Sequence, residues 1–416
     1  MADFYSKSLS TFGRSNALEL TKTVEHIPNM FRAAITDLGG VVNHLHQVSA
    51  INIMQSDIFI SVQPKTTIPA SLLNGGRLKF STSKNQISRI KNGYIKITVS
   101  NTTGASVTLA PTQLWLQRKE IYGDNGGNSL YIEEDLEPWM HNILFAENEW
   151  VNLAPMFNSN TAYSRAGVAQ ADGATRDYYI PLIGFLSSSH LSLAGLANDI
   201  EFELTLKPFT LIGLAGTLPN VTNCQLLLRG VYEDPQTSAS RAQQYQSPYC
   251  VLRYLDNDSH KADLTLTASS QYDIVLSGVR GLVAYLIILV RAKPVTAANQ
   301  ATFVNAIDSF DIVDESSKSI IGSYQRNYDE TAKLIYPETF DNYFNQGYYF
   351  FLVPFAEDPL MAFKTGANTG FQPFDTHNRL RFTTVAGLAT GSYEVQVLAK
   401  VYNHIEINQG HLTKIS

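Results

Sequence analysis

Apolar and polar residues alternate along most of the chain after residue 50. The clearest example is segment 200–207, in which every second residue is apolar: Ile200, Phe202, Leu204 and Leu206. A period of two is the signature of a β-strand with one buried face. Comparable strand patterns occur in segments 94–99, 107–109, 113–118, 224–232, 263–267, 310–313, 379–382 and 393–397. Many short strands with long, polar, glycine-rich connections are typical of β-sandwiches, of which the jelly roll is the common case.

One strand is predicted to be fully buried. The longest apolar run, 281–290, has about half of the roughly 20 residues that a membrane span needs. Its β-branched residues and the flanking Arg280 and Arg291 favour a buried strand over a membrane segment.

Two dipeptides indicate that the strands form two copies of one unit. The only Tyr-Tyr pairs begin at Tyr178 and Tyr348, and the only Val-Tyr pairs begin at Val231 and Val401; each offset is 170 residues. A repeat of this kind fixes the architecture. We therefore predict an all-β fold of two tandem eight-stranded jelly rolls, at residues 51–234 and 251–408, with a few short helices.

The remaining segments are predicted to be an arm, a linker and a tail. Within the arm, residues 1–50, a helix is expected from Pro28 to Leu38, because proline starts and Gly39-Gly40 ends the pattern. This helix either packs on its own subunit or reaches a neighbour or a membrane surface. The linker is residues 235–250, with room for a helical turn or more, and the tail is residues 409–416.

A further helix is predicted around 133–145, inside the first unit. Glu133, Glu134 and Asp135 would lie in its first turn, where negative charge is favourable. Segment 157–177 is too long for a plain turn, and loops of that length are usually functional or interfacial.

Charge and cysteine content narrow the class of protein. Charged residues make up 16% of the chain, against about 25% in an ordinary soluble domain, so we expect burial against other subunits. The net charge of −6 and the scattered 31 Lys and Arg residues predict no direct sequence-specific nucleic-acid binding. Cys224 and Cys250 are predicted to be small buried hydrophobes in strands rather than a disulfide. The first residues show no apolar segment of a signal peptide, so we expect none.

His44-Leu45-His46 has the spacing of metal ligands in cupin-type jelly rolls, but the next glutamate is Glu120. A surface or interface pair of histidines is therefore the favoured interpretation. Segment 256–260 contains two aspartates but lacks the glycine and closing glutamate of a calcium loop, so we predict a polar turn.

Other motifs give no catalytic signal. The glycine-rich segment 123–128 lacks the following Lys-Ser/Thr of a phosphate loop and is predicted to be a tight strand connection. Lys364-Thr365-Gly366 also lacks the phosphate-loop order. Glu133 and Glu134 could act in acid–base chemistry, but an exposed helix start explains them equally well. We predict no catalytic residue, no cofactor and no metal site.

The order of several short motifs adds a resemblance to a known family. The motifs are 178–183, 191–194, 199–204, 226–234 with Arg241 and Gln243, 375–382 and 401–405. Together they resemble the double jelly-roll major capsid proteins of tailless icosahedral double-stranded DNA viruses, with the smaller, phage-sized members the better match. The resemblance covers roughly residues 50–410.

The resemblance implies a structural rather than an enzymatic role. Members form homotrimers whose six jelly rolls make a pseudo-hexagonal capsomer, and these capsomers tile an icosahedral virion shell, usually over an internal membrane. Expected partners are further copies of the chain, penton and minor capsid proteins, and the membrane through the arm at 1–50. Loops 122–130 and 157–177 would decorate or lock the trimer. Synthesis and assembly would take place in the host cytoplasm.

Two other classes of protein stay open at this point. A secreted carbohydrate-binding or glycan-cleaving β-sandwich would show a signal peptide, a cleft rimmed with tryptophan and often a calcium site, and the chain has only 3 Trp. A receptor-binding spike or penton protein would be repetitive or fibrous with a distinct receptor domain.

Overall fold

The computed structural model describes residues 56–83, 86–123, 129–140, 157–158, 165–182, 191–246, 250–321, 324–325, 349–357 and 370–415. The predicted helix at 28–38 lies outside these ranges, as does the rest of the arm. The predicted connection at 124–128 also lies outside them.

The first half consists of short strands in three antiparallel sheets. In chain order they are β1 (Ser56–Val62), β2 (Arg77–Thr82), β3 (Arg89–Ser100), β4 (Val107–Leu109), β5 (Leu116–Tyr122), β6 (Ser129–Glu134), β7 (Ala169–Gln170), β8 (Thr175–Leu182), β9 (Ile200–Leu206), β10 (Gly213–Ala215) and β11 (Asn220–Tyr232). Sheet 1A has the order β1-β11-β3-β8, and sheet 1B has the order β2-β9-β5-β6. A small third sheet has the order β10-β4-β7.

The second half repeats the two larger sheets. Its strands are β12 (Cys250–Leu266), β13 (Gln271–Val275), β14 (Gly281–Ala292), β15 (Ile307–Val313), β16 (Tyr324–Gln325), β17 (Phe350–Pro354), β18 (Gln372–Phe374), β19 (Arg379–Thr384), β20 (Gly391–Asn408) and β21 (His411–Ile415). Sheet 2A has the order β12-β20-β14-β17, with β18 added beside β14 and β21 beside β20. Sheet 2B has the order β13-β19-β15-β16.

The two halves share one topology. When the eight strands of each pair of four-stranded sheets are numbered along the chain, both halves place strands 1-8-3-6 in one sheet and 2-7-4-5 in the other. This is the jelly-roll order, so the prediction of two tandem eight-stranded jelly rolls is confirmed. Tyr178 and Tyr349 belong to or adjoin the matching strands β8 and β17, and Val231 and Val401 lie on the matching strands β11 and β20.

Helices are short and lie between strands. Helix α1 (Phe209–Ile212) precedes β10, and α2 (Pro235–Gln246) runs through the segment predicted as a linker. The backbone N–H of Ser192 donates to the hydroxyl of Tyr245 in α2 over 2.9 Å, which fixes α2 against the first jelly roll. The segment predicted as a tail contains β21, which pairs with β20.

The predicted helix at 133–145 is wrong at its start. Glu133 and Glu134 end strand β6, and a helical turn covers only 137–140 within the described residues. Strand pairing decides this, because Glu133 lies directly opposite Lys119 on β5 and forms a buried ion pair with it. A local helix-start signal cannot compete with a buried cross-strand partner.

Three other local predictions are corrected. Segment 256–260, predicted to be a polar turn, lies inside the 17-residue strand β12, because its polar side chains meet partners on other elements. In the strand predicted at 113–118, Thr112–Leu114 forms a 3-10 turn and β5 starts at Leu116. Within the long loop predicted at 157–177, residues 169–170 form β7 and β8 starts at Thr175.

Candidate assembly site

The motifs that the sequence singles out for chemistry do not form a site in the described part of the chain. His44, His46 and segment 364–366 lie outside the described residues. On β6, Glu133 pairs with Lys119 and Glu134 pairs with Arg118, both on β5. Among the described residues, no three His, Cys, Asp or Glu side chains are grouped as metal ligands would be, and no described helix combines the length and apolarity of a membrane span.

A buried junction joins the two jelly rolls, and β14 forms its apolar part. Val283, Leu286, Ile288 and Val290 pack in the core of the second jelly roll. The alternate residues Tyr285, Ile287 and Leu289 join the core cluster of the first jelly roll. The predicted burial is therefore confirmed for residues 283–290, which are buried on both faces, whereas Gly281 and Leu282 at the start of the strand are exposed.

Side chains of β12 donate hydrogen bonds to backbone carbonyl groups at the edge of sheet 1B. Strand β6 ends that sheet, so its outward carbonyl groups need hydrogen-bond donors from outside the sheet. The Tyr254 hydroxyl donates to the carbonyl oxygen of Leu130 over 2.5 Å. The Asn257 amide donates to that of Ile132 over 2.7 Å. The second jelly roll thus caps an edge of the first.

Two buried lysines flank the ring of Tyr131 at this junction. The Nζ atoms of Lys119 and Lys400 lie 5.7 Å and 5.5 Å from the ring centroid, an arrangement that a cation–π interaction favours. Lys119 comes from β5 and Lys400 from β20, so the ring lies between the two jelly rolls. Burial lowers the pKa of Lys400 to about 8, although the charges of Glu133 and Glu137 oppose the shift. Burial also raises the pKa of Glu137 well above its ordinary value.

Asp135 holds three cations at a second point of the junction. Its carboxylate lies 2.6 Å from Lys207 Nζ, 2.9 Å from Lys261 Nζ and 2.8 Å from Arg291 Nη2. Lys207 belongs to the first half, whereas Lys261 and Arg291 belong to the second. Burial alone would raise the pKa of Asp135, but the three charges outweigh it and place the pKa well below its ordinary value.

Hydrogen bonds extend this network across the junction. Arg291 also pairs with Glu394, with Nε 3.0 Å from Oε1. Lys207 Nζ donates to the Gln300 side-chain oxygen over 3.0 Å, and the Gln300 amide donates to the Leu211 carbonyl over 2.7 Å. A buried polar network in which each member has partners rigidifies the contact that it spans.

A tyrosine paired with a proline occurs in both sheet 1A and sheet 2A, and this pair identifies corresponding positions in the two sheets. On β8, Pro181 lies opposite Tyr94 of β3; on β17, Pro354 lies opposite Tyr285 of β14. The two prolines are 173 residues apart (354 − 181). The repeated dipeptides of the sequence therefore lie on matching strands, three residues out of register.

At these positions the outer face of sheet 1A is half-exposed in the part of the chain that the structure describes, whereas that of sheet 2A is covered; we call the former the open face. The residues of sheet 2A that face the first jelly roll include Ile287, Leu289, Leu352 and Leu398. In the order given, the corresponding residues of sheet 1A are Lys96, Thr98, Tyr179 and Gln225. Lys96 pairs there with Asp177 over 2.8 Å. The open face is thus more polar than the covered one.

Sequence reasoning missed the charged residues of the junction. In the sequence pattern Arg291 only flanks a buried strand, and Asp135 only belongs to a predicted helix start. A detectable signal existed for Lys400, which interrupts the apolar run 397–401, because a lone charge in a buried strand needs a partner. The identity of that partner was not available from the pattern.

Two solved structures share this fold over most of the chain. The crystal structure of PBCV-1 VP54, fitted into a cryo-EM reconstruction of the virophage Sputnik, has a TM-score of 0.63 at 16% identity, covering 88% of this chain and 97% of that chain. The Faustovirus major capsid protein has a TM-score of 0.66 at 9% identity, covering 86% and 91%. At these identities the likeness establishes the fold alone. No protein-family model matches the sequence, and no curated protein matches it significantly.

Proposed function

We propose that this chain is the major capsid protein of an icosahedral double-stranded DNA virus, with a structural rather than an enzymatic role. The observation that carries the proposal is the tandem pair of jelly rolls, whose likeness spans nearly the full length of solved capsid structures. Fold likeness alone does not assign a function, but a second observation from the sheets supports self-assembly.

That second observation is the difference between the outer faces of the two sheets: the first jelly roll covers the outer face of sheet 2A, whereas the outer face of sheet 1A is open in the described part of the chain. A unit that offers one open face, and a different surface able to cover such a face, can associate head to tail, and it closes into a ring where the rotation between copies closes. Three chains would place six jelly rolls in one ring, which is the homotrimeric, pseudo-hexagonal capsomer. Such capsomers would tile the shell of the virion.

A size measurement tests this proposal. The chain has a mass of 46.1 kDa, and light scattering on the purified protein is expected to give a trimer at three times that mass. Electron microscopy of particles that contain the protein should then show a pseudo-hexagonal lattice. A protein that stays monomeric at all concentrations and binds saccharides would instead favour the secreted carbohydrate-binding or glycan-cleaving alternative.

The finer assignments belong to the same proposal. They are membership of the smaller, phage-sized group, contacts with penton and minor capsid proteins, assembly in the host cytoplasm, and contact of the arm at 1–50 with a neighbour or the internal membrane. Deleting residues 1–27 tests the arm, because normal particle assembly after the deletion would contradict its role.

The domain limits are also proposed. The two jelly rolls would occupy residues 51–234 and 251–408, joined by the linker 235–250, which contains α2. Because the junction is buried, limited proteolysis should not separate them readily. Release of two stable halves by cleavage within 235–250 alone would show that the junction is weak.

A further inference from the structure

Phe59 is an exposed aromatic residue on the edge strand of the open sheet. Its relative exposure is 74%, the highest among the large hydrophobic residues that the structure describes. Its neighbours on β1, Ile58 and Ile60, pack against the core, so Phe59 points away from it. The guanidinium carbon of Arg229 lies 5.7 Å from the centroid of the Phe59 ring. This cation–π contact holds the ring on the outer face of sheet 1A.

The corresponding residue in the second jelly roll is covered. Phe59 lies two rows of paired residues away from the row of Tyr94, and Leu255 lies two rows away from the row of Tyr285 in the same direction. Leu255 is 5% exposed and belongs to the cluster that contains the core of the first jelly roll. An apolar residue at this position is therefore buried wherever the chain supplies a neighbouring jelly roll.

The same comparison identifies what would cover Phe59. Within the chain, the first jelly roll covers sheet 2A through the edge formed by β6. The matching edge strand of the second jelly roll is β16, which ends sheet 2B just as β6 ends sheet 1B. In the described residues, β16 covers no A sheet of its own chain. The β16 edge of the second jelly roll in another copy can therefore cover sheet 1A in the way that the β6 edge covers sheet 2A.

We propose that Phe59, supported by Arg229, is the aromatic anchor of the seam between copies and contacts the second jelly roll of the neighbouring copy. The rest of the seam is polar, since Lys96, Thr98 and Gln225 occupy positions that are apolar at the internal junction. The seam is therefore expected to be weaker than the junction. This inference rests on the proposed capsid function.

Substitution at Phe59 tests the anchor. Because the side chain is exposed, Phe59→Asp is expected to leave the circular dichroism spectrum and the unfolding midpoint of the dissociated chain unchanged. Loss of an interface hot spot raises a dissociation constant by roughly thirtyfold or more, and we expect this change in analytical ultracentrifugation. Phe59→Leu, which copies Leu255, should retain most of the affinity. The matched control is Val275→Asp, at a residue that is 45% exposed on the far edge of sheet 2B.

Photo-crosslinking tests the identity of the partner. A benzophenone amino acid placed at position 59 of the full chain is expected to crosslink to residues 250–415 of another copy. Crosslinks to residues 56–232 of another copy, or to residues 1–55, would overturn the proposal. So would a trimer that Phe59→Asp leaves intact, or one that Val275→Asp weakens equally. A wild-type chain that never associates would contradict the proposed function itself.

Discussion

Replacing Asp135 with asparagine is expected to destabilise the junction between the two jelly rolls. Asparagine keeps the shape of the side chain and removes the charge that Lys207, Lys261 and Arg291 share. Asp135 is 14% exposed, and Lys207 and Arg291 are each 4% exposed. Removing one partner of a buried ion pair costs about 3–5 kcal/mol. Since Glu394 still pairs with Arg291, we expect the lower end, about 3 kcal/mol.

Urea denaturation at neutral pH measures this loss, with tryptophan fluorescence as the signal. The buried Trp115 and Trp139 of the first jelly roll report on its unfolding. Asp273→Asn is the matched control, because Asp273 is 36% exposed and pairs with Arg381 at 3.3 Å on the surface. A surface pair contributes about 0–1 kcal/mol. If Asp135→Asn cost no more than the control, the network would not hold the junction.

The pH dependence of the same variant gives an independent check. The folded pKa of Asp135 lies well below its ordinary value, whereas the unfolded pKa is about 3.9. Its stabilising contribution is therefore fully present above the unfolded pKa and is lost as the pH falls toward the folded one. The difference in unfolding free energy between wild type and Asp135→Asn should shrink below about pH 4. A difference that grows under acid would contradict the assignment.

Two further predictions follow from burial. Ile287→Ala should lower the free energy of unfolding by about 2–5 kcal/mol in urea denaturation, because it leaves a cavity at the junction. Lys96→Ala, at the corresponding open position, should lower it by about 1 kcal/mol or less. Equal losses in the two variants would contradict the correspondence of these positions. Burial raises the pKa of the Cys224 thiol to about 12. A thiol reagent applied to the Cys250→Ser variant should therefore label Cys224 only as the chain unfolds. Labelling of the native protein within the mixing time would refute the burial of Cys224.

Alternation along the chain predicted most strands because a strand with one buried face leaves a period of two in its own residues. Strands β3 and β19 are direct examples, because buried and half-buried residues alternate along them. The prediction failed where partners distant in sequence decide the structure. The polar residues of β12 look like a turn until Asn257 is seen to bind the edge of β6 and Lys261 to bind Asp135. Glu133 likewise has the sequence pattern of a helix start, but its pairing with Lys119 across β5 and β6 places it in a strand.

By itself, the sequence determined an all-β chain of two similar units, a strand at 281–290 that is buried from residue 283 onward, and a low fraction of charged residues. Only the tertiary structure decided which outer faces are covered, which charges meet at the junction, and that Lys96 and Ile287 occupy corresponding positions. The physical reason is that periodicity records whether a face is buried and does not record what buries it. Asp135, Lys207 and Arg291 are far apart in sequence, and only the packing of one jelly roll on the other brings their charges together.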